Sequence, residues 1–170
     1  MDEITYLGVI SDTHLTELTS AVGLAEQLMA GPFKNVEAIL HAGDMIIPDF
    51  ESCFNGIPFY AVQGNMDNSR AGLPLKRIID FSDFRIGLIH GWGPPSAVAR
   101  NVLAEFHDDN VDLLIFGHSH SPFHAVIGQV ILFNPGSAVD HRGNAECCSV
   151  GLIEIGQKLS VRHVPFTGLL

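Results

Sequence analysis

Positive charge is scarce in this chain. Its 170 residues include 9 lysines and arginines against 19 aspartates and glutamates, which gives a formal net charge of -10. A protein that holds a long nucleic acid neutralises phosphates with basic side chains, so this balance argues against long nucleic acid as a partner. A small phosphorylated molecule stays compatible with the charge if bound cations offset the acidic side chains.

Cysteine and long apolar runs are also lacking. The three cysteines, Cys53 and the adjacent Cys147 and Cys148, form neither a CxxC pair nor an even disulfide framework, which favours a reducing compartment. No apolar run approaches the roughly 18 residues of a membrane helix. The chain begins without the basic and apolar regions of a signal peptide. We therefore expect a cytoplasmic protein without membrane association; the sequence leaves its oligomeric state open, a homo-oligomer included.

The pattern of apolar residues predicts one domain over residues 1–170, with 46% hydrophobic residues to fill its core. Strands are predicted at 4–10, 36–40, 58–62, 77–81, 85–89 and 111–116, and almost throughout 122–166. Helical spacing is found at about 16–30 and 94–107, and weakly at 44–53. Strands that alternate with helices and then give way to hairpins predict a layered α/β fold, with a partly parallel sheet backed by a second sheet.

Six short polar signatures stand at the ends of apolar runs. They are Ser11-Asp12-Thr13-His14, Gly43-Asp44, Gly64-Asn65-Met66-Asp67, His90-Gly91, Gly117-His118-Ser119-His120 and Asn134-Pro135-Gly136-Ser137. The carboxyl ends of strands in an open α/β sheet meet at one rim, where ligands bind. The candidate ligands in the first five signatures are two carboxylates, Asp12 and Asp44, one carboxamide, Asn65, and four imidazoles, a mixture that suits a pair of divalent transition ions.

Taken singly, each signature is common turn or loop chemistry, but their conjunction at strand ends predicts a metal site. Asp44 is the candidate for a carboxylate that bridges two ions. Two groups of side chains would complete the ions: Asp12, His14 and one of His118 and His120 on the first, and Asn65, His90 and the other of the two histidines on the second. Water held between the ions could attack a phosphorus atom.

With these motifs, from Asp12 to about Arg142, the sequence resembles the calcineurin-like metallophosphoesterases, in particular the YfcE-like small phosphodiesterase branch. The resemblance implies a two-sheet β-sandwich with flanking helices and a dinuclear centre, often filled by manganese, with Asp44 as the bridge. It also implies that His120 joins Asp12 and His14 on one ion. By the same likeness, His118 joins Asn65 and His90 on the other.

Two positions qualify the resemblance. Met66 stands where the protein-phosphatase branch has a histidine that protonates the leaving group, so either good leaving groups are preferred or another donor, such as His41 or a metal-bound water, acts. Asp67 keeps its family position, with positioning of a ligand as its expected role. His41 is open between such a role and simple packing. The Asn134–Ser137 segment is either part of the metal rim or a tight turn.

Substrate contacts are predicted at Asn65, His90 and Arg142. Arg142 and Arg70 are the cations nearest in sequence to the signatures, and a solvated surface arginine is the alternative for both. All seven predicted ligands are also the predicted catalytic residues.

The expected function is hydrolysis of a small phosphate ester by a phosphodiesterase that depends on two divalent ions. Manganese is the expected metal, and iron, zinc, cobalt and nickel also suit the ligands. Phosphomonoester hydrolysis stays open, because one metal pair can attack either ester. The rival from another class is a non-catalytic scaffold on the same fold, similar to the retromer subunit that has lost site residues. Retention of all four imidazoles and both carboxylates favours the enzyme.

Overall fold

The computed structural model describes residues 4–68, 72–140 and 148–167. The described residues contain ten strands, which are listed here in chain order: β1 (Thr5–Ile10), β2 (Ala38–His41), β3 (Phe59–Ala61), β4 (Lys76–Phe81), β5 (Phe84–Ile89), β6 (Leu113–Ile115), β7 (Phe123–Ile127), β8 (Val130–Asn134), β9 (Ser149–Ile155) and β10 (Leu159–Pro165). Two α-helices, α1 (Leu18–Ala30) and α2 (Pro95–Glu105), and a 3-10 helix at Pro48–Phe54 complete the fold.

The strands form two mixed sheets of five strands each. The first has the order β10-β9-β1-β2-β3, with β1, β2 and β3 parallel, and the second has the order β4-β5-β6-β8-β7, with β5, β6 and β8 parallel. Antiparallel strands complete both sheets: β9 and β10 in the first, β4 and β7 in the second. The predicted layered fold with a partly parallel sheet and a second sheet is confirmed.

Burial alternates along β1 because successive side chains point to opposite faces of the sheet. Leu7 and Val9 pack against the second sheet, while Ile10 packs towards α1 and the 3-10 helix. Gly8 leaves room for the Phe33 ring, which would lie 2.8 Å from a Cβ at that position. A third apolar cluster, including Val98 of α2, covers the second sheet. Helices therefore flank the two-sheet sandwich on both outer faces.

The ends of the helices are less well specified by sequence than their centres. α1 begins at Leu18, two residues after the predicted start, and Glu17 makes no side-chain hydrogen bond that caps it. The weak helical pattern at 44–53 corresponds to the 3-10 helix, in which Pro48 takes the first position. None of the helices among the described residues is long and apolar enough to cross a membrane.

The parallel strands of both sheets end at a common rim. Backbone hydrogen bonds tie the loops that follow them: Asp12 N–H donates to the Gly43 carbonyl at 3.0 Å, and Gly117 N–H donates to the His90 carbonyl at 3.0 Å. These bonds join β1 to β2 and β5 to β6 just beyond the last residue pairs of each strand. Side chains on four loops are thereby held at one place.

Candidate metal centre

The seven predicted ligands converge at this rim, although they come from loops as far apart in sequence as those of Asp12 and His120. Asp12, Asp44, His90 and His120 are buried, with between 0% and 4% of their surface exposed. Asn65 is exposed, and His14 and His118 are half-buried. Polar groups buried at such density require partners, and the exposed members leave one side of the cluster open to small molecules.

A first group of atoms is formed by Asp12, His14 and His120, whose ligand atoms all lie within 4.8 Å of one another. The Nε2 atoms of His14 and His120 are 3.1 Å apart, and the His120 Nε2 lies 3.4 Å from Asp12 Oδ1. Ligands that share one metal ion at 2.0–2.2 Å stand about 3 Å apart. The group therefore has the dimensions of a metal-binding site.

A second group is formed by Asp12, Asp44 and His90. His90 Nε2 lies 3.4 Å from Asp44 Oδ2 and 3.1 Å from Asn65 Oδ1. Asn65 Oδ1 in turn lies 3.1 Å from His118 Nδ1, which brings the remaining predicted ligand into the same group.

Asp44 Oδ2 lies between the two groups, 3.5 Å from His14 Nε2 and 3.4 Å from His90 Nε2. Asp12 also has atoms close to both groups. All seven predicted side chains are therefore brought together. The division of ligands between two ions, with Asp44 as the bridge, stays a prediction.

The imidazoles turn lone pairs towards the centre of the cluster. His90 Nδ1 bonds to the Ala42 carbonyl at 2.7 Å, and His118 Nε2 bonds to the Gly93 carbonyl at 3.1 Å. A carbonyl oxygen can only accept, so each of these nitrogens carries the proton, and the other nitrogen of a neutral ring is an acceptor. His120 is held in the same way, with Nδ1 3.1 Å from Asp140 Oδ2.

Acceptor atoms therefore face one another across the cluster: carboxylate oxygens, an amide oxygen and imidazole nitrogens. Such an arrangement is repulsive by itself and is stabilised by cations at its centre. The donor set fits divalent metal ions on this ground.

The pKa values of the two buried carboxylates shift in opposite directions. Burial raises the pKa of Asp12 to about 6, and the negative charge of Asp44 adds to the rise, while His90 and a hydrogen bond from Ser11 oppose it. For Asp44 burial acts in the same direction, but hydrogen bonding and charge from His90 prevail and hold its pKa below the ordinary value.

Burial also lowers the pKa of His90, but the contacts with Asp44 and Asp12 outweigh it and leave the pKa raised. A divalent ion would therefore compete with a proton for His90, and metal binding here should weaken as the pH falls.

The backbone at the site is strained. Five of the seven predicted ligands have positive φ angles, which side chains other than glycine rarely adopt: Asp12 (53°), His14 (45°), Asp44 (57°), His118 (70°) and His120 (55°). The surrounding hydrogen bonds hold these conformations. This concentration at the ligands marks the rim as a functional site.

Asp67 positions the Asp44 loop, as expected from its sequence position. Its carboxylate accepts backbone N–H bonds from Asp44 at 2.9 Å, Ile46 at 2.7 Å and Gly64 at 2.7 Å. Met66 N–H donates to Asp44 Oδ1 at 2.7 Å, so the Asn65 loop also binds the Asp44 side chain directly. The Asp67 carboxylate thereby joins the Gly43-Asp44 signature to its own signature, which begins at Gly64.

His41 is fully buried and also supports the loops. Its Nδ1 accepts a bond from Gly43 N–H at 3.2 Å, its Nε2 lies 3.1 Å from Thr13 Oγ1, and its ring contacts Phe50 and Phe59. Burial lowers the pKa of His41 to about 4, although the charge of Asp67 opposes the shift. His41 therefore packs against two phenylalanine rings and also positions the loops of Thr13 and Gly43, so it fulfils both of the roles between which the sequence left it open.

The Asn134–Ser137 segment belongs to the rim and is a turn as well. Asn134 Nδ2 donates to the Gly117 carbonyl at 2.8 Å, while its Oδ1 accepts from Gly136 N–H at 2.9 Å. Ser137 Oγ donates to the Asp12 carbonyl at 2.8 Å. The segment therefore fixes two of the ligand loops from behind.

Two contributors to the site escaped the sequence analysis: Asp140 and the Gly93 carbonyl. No local sequence pattern marks Asp140, because its contact with His120 depends on the fold. The Asp140 N–H donates to Ser137 Oγ at 3.0 Å, and this bond holds Asp140 at the rim.

The predicted substrate contact Arg142 and the other candidate cation, Arg70, lie outside the described residues.

The chain is similar to known proteins along most of its length. Residues 6–158 match the model of the calcineurin-like phosphoesterase superfamily domain. A probable metallophosphoesterase of Methanothermobacter thermautotrophicus is 37% identical over 133 residues, which cover 77% of this chain and 76% of that protein. A phosphodiesterase of Methanocaldococcus jannaschii is 26% identical over 171 residues, covering 88% of this chain and 90% of that protein.

Solved structures share the fold. A predicted phosphoesterase from Streptococcus pneumoniae has a TM-score of 0.79 at 22% identity, covering 96% of this chain and 90% of that one. Vacuolar protein sorting 29 of Cryptosporidium parvum has a TM-score of 0.71 at 18% identity, covering 96% and 98%. These likenesses agree with the two-sheet sandwich, and the family match covers the loops that form the cluster. The chain belongs to the calcineurin-like phosphoesterase superfamily.

Proposed function

We propose that this protein is a phosphodiesterase that requires two divalent metal ions and hydrolyses a small phosphate ester. The observation that carries the proposal is the convergence of two carboxylates, one amide oxygen and four imidazoles whose acceptor atoms lie about 3 to 4 Å apart. One ion would be held by Asp12, His14 and His120. The other would be held by Asn65, His90 and His118, and Asp44 would contact both ions. Manganese is the metal we expect.

Bound divalent ions at such a centre acidify water and neutralise the oxygens of a phosphate group. The chain supplies the electrostatics around them. The carboxylates of Asp12 and Asp44 would offset part of the positive charge of the ions. The neutral amide of Asn65 would add a ligand without reducing that charge further. His90 and Asn65 line the accessible side of the cluster, where they would meet the phosphate.

The leaving group must depart without help from His41. That side chain has no exposed surface, and both of its nitrogens are occupied by Thr13 and Gly43. Met66, beside the predicted ligand Asn65, carries no proton to donate. We therefore expect a preference for esters whose leaving groups are stable as anions.

The test compares bis(4-nitrophenyl) phosphate with 4-nitrophenyl phosphate, using protein stripped with a chelator, with and without added manganese. Manganese-dependent turnover of the diester is expected, with less turnover of the monoester. Asp44→Asn should lower the turnover by orders of magnitude while the circular dichroism spectrum is unchanged. Asp83→Asn, in the exposed turn between β4 and β5, is the matched control and should behave as the wild type.

The alternative is a non-catalytic metal-binding scaffold, which the likeness to vacuolar protein sorting 29 brings into consideration. A scaffold has no need for seven converging polar side chains, five of them held on strained backbone, because such strain costs stability. Metal that raises the melting temperature, with no turnover of either ester, would favour the scaffold over the enzyme.

A further inference from the structure

A cleft of about 410 Å³ adjoins the predicted metal centre. Its lining includes Asn65 and His90 at the metal end, and Leu75, Lys76, Trp92 and Glu105 beyond them. The proposed function accounts for the first two residues only. The other four side chains form a wall of the cleft that the proposed function leaves without a role. An ester group attached to a phosphate at the metal centre would extend from the phosphorus into the cleft.

The walls of the cleft are apolar and accessible. Trp92 is 46% exposed and Leu75 is 69% exposed, although both are large apolar side chains. The lining also includes the buried Ile89, which belongs to the apolar cluster that packs against α2. Large apolar groups that stand exposed together beside polar ligands are typical of small-molecule sites. An indole ring in such a wall can stack on a planar ligand.

The loop that carries Trp92 is fixed on both sides. Asn101 of α2 donates from Nδ2 to the Trp92 carbonyl at 3.0 Å. The next carbonyl, that of Gly93, holds the ring of His118, as described above. Gly91 and Gly93 have φ angles of 94° and 92°, which permit this tight path. The position of Trp92 is thus coupled to that of a predicted metal ligand.

Charge in the cleft is already balanced. Lys76 Nζ lies 2.6 Å from Asp109 Oδ2 and 3.6 Å from Glu105 Oε1, donates to the Glu105 carbonyl at 2.8 Å, and stands 4.2 Å from the centroid of the Phe106 ring. Lys76 is the one cation among the described residues that line the cleft. With two carboxylates beside it, the cleft offers no net positive charge to a second phosphate.

We propose that this cleft binds a planar, uncharged aromatic group on the ester side of the substrate, stacked on Trp92 and packed against Leu75. This inference rests on the proposed function, since the phosphate is held by the metal centre. It narrows the substrate class to aryl or nucleoside esters of phosphate and disfavours polyphosphates and simple sugar phosphates.

Trp92 is the single tryptophan of the chain, so its fluorescence reports occupancy of the cleft without any need for turnover. Manganese-loaded wild-type protein, excited at wavelengths where nucleotides absorb little, should be titrated with adenosine monophosphate, ribose 5-phosphate and inorganic phosphate. Saturable quenching by the nucleotide alone is expected. Equal responses to nucleotide and sugar phosphate, or none to the nucleotide, would overturn the proposal.

Kinetics supply the second test. Trp92→Ala should raise KM for bis(4-nitrophenyl) phosphate about tenfold, with a much smaller change in kcat, because one stacking partner is lost. Trp92→Phe keeps an aromatic face and should recover most of the affinity. Val126→Ala removes a comparably exposed apolar side chain from β7 and is the matched control. An unchanged KM in Trp92→Ala contradicts the aromatic subsite.

The two proposals fail in different ways. If manganese and Asp44 are required for turnover but Trp92→Ala leaves KM unchanged, the phosphodiesterase stands and the aromatic subsite is wrong. If the nucleotide quenches Trp92 but neither ester is hydrolysed, the cleft binds an aromatic phosphate and the proposed activity is wrong.

Discussion

The carboxylate of Asp67 accepts a hydrogen bond of 2.9 Å from the backbone N–H of Asp44. Asp44 needs such support because its φ angle is 57° and its side chain must reach both halves of the cluster. Two further N–H groups, from Ile46 and Gly64, bond to the same carboxylate. Asp67 therefore fixes the backbone at and just after the predicted bridging ligand, and ties it to the loop of Gly64.

Asp67→Asn should weaken metal binding by about 10- to 100-fold, because the amide cannot accept all three bonds with the strength of a carboxylate. The free energy of unfolding of the metal-free protein should fall by about 2 kcal/mol, since buried N–H groups lose charged partners. Titration calorimetry with manganese and urea unfolding measure the two effects. Asp80→Asn, an exposed residue of β4, controls for the change in net charge and should alter neither quantity.

Much of this site could be predicted because its ligands directly follow apolar strands. Asp12 comes two residues after β1, and His90 immediately follows β5, so the local pattern places each at a strand end. The resemblance then assigned His120 to one ion and His118 to the other. The supporting role of Asp67 came from the same resemblance, in which this residue keeps its family position.

The other supports could not be predicted because they depend on contacts between distant segments. Asp140 is 20 residues from His120, and the Gly93 carbonyl offers no side chain for a pattern to reveal. His41 stayed undecided for a related reason, since only the packed structure shows that Thr13 and Gly43 occupy its nitrogens. Helix boundaries were missed by two residues where no capping side chain marks them.

Asp140→Asn tests the support of His120. The carboxylate holds the Nδ1 proton at 3.1 Å, and replacing it with an amide should weaken the orientation of the ring and its basicity. We expect about tenfold weaker manganese binding with little loss of stability, since 43% of the Asp140 side chain is exposed. Calorimetry should show the loss in one of two binding steps. Equal weakening of both steps, or none, would count against this local role, and Asp108→Asn is the exposed control.

Gly64→Ala tests the close approach of two ligand loops. A Cβ at this position would overlap Asp44 Oδ1 and the Asp44 backbone nitrogen, and that nitrogen is already bonded to Asp67. Something must shift, so turnover should fall by at least about tenfold and the free energy of unfolding by about 1 to 3 kcal/mol. Gly156→Ala is the matched control, because its Cβ would meet only Ile4 at 3.7 Å. A fully active Gly64→Ala protein would show that the Asp44 loop can move without cost.

The pKa of Asp12 gives a prediction about stability against pH. In the folded metal-free protein this pKa is about 6 instead of 3.8, chiefly because the carboxyl is buried. The folded protein therefore keeps a proton that the unfolded chain has released, and stability due to this group falls as the pH rises from about 3.8 to about 6. The shift corresponds to about 3 kcal/mol.

Asp12→Asn removes that titration, so the metal-free variant should be more stable than the metal-free wild type above pH 7, with the difference vanishing below about pH 4. The lowered pKa of His41, about 4 instead of 6.5, acts with the opposite sign, since stability due to His41 falls as the pH falls from 6.5 to 4. His41 is present in both proteins, so its contribution cancels in the difference between them. Urea unfolding in the presence of a chelator, from pH 4 to 8, measures this difference, and a difference independent of pH would contradict the assignment.

Added manganese should make the wild type the more stable of the two proteins at pH 7, because manganese stabilises the wild type by binding and the variant has lost a carboxylate ligand.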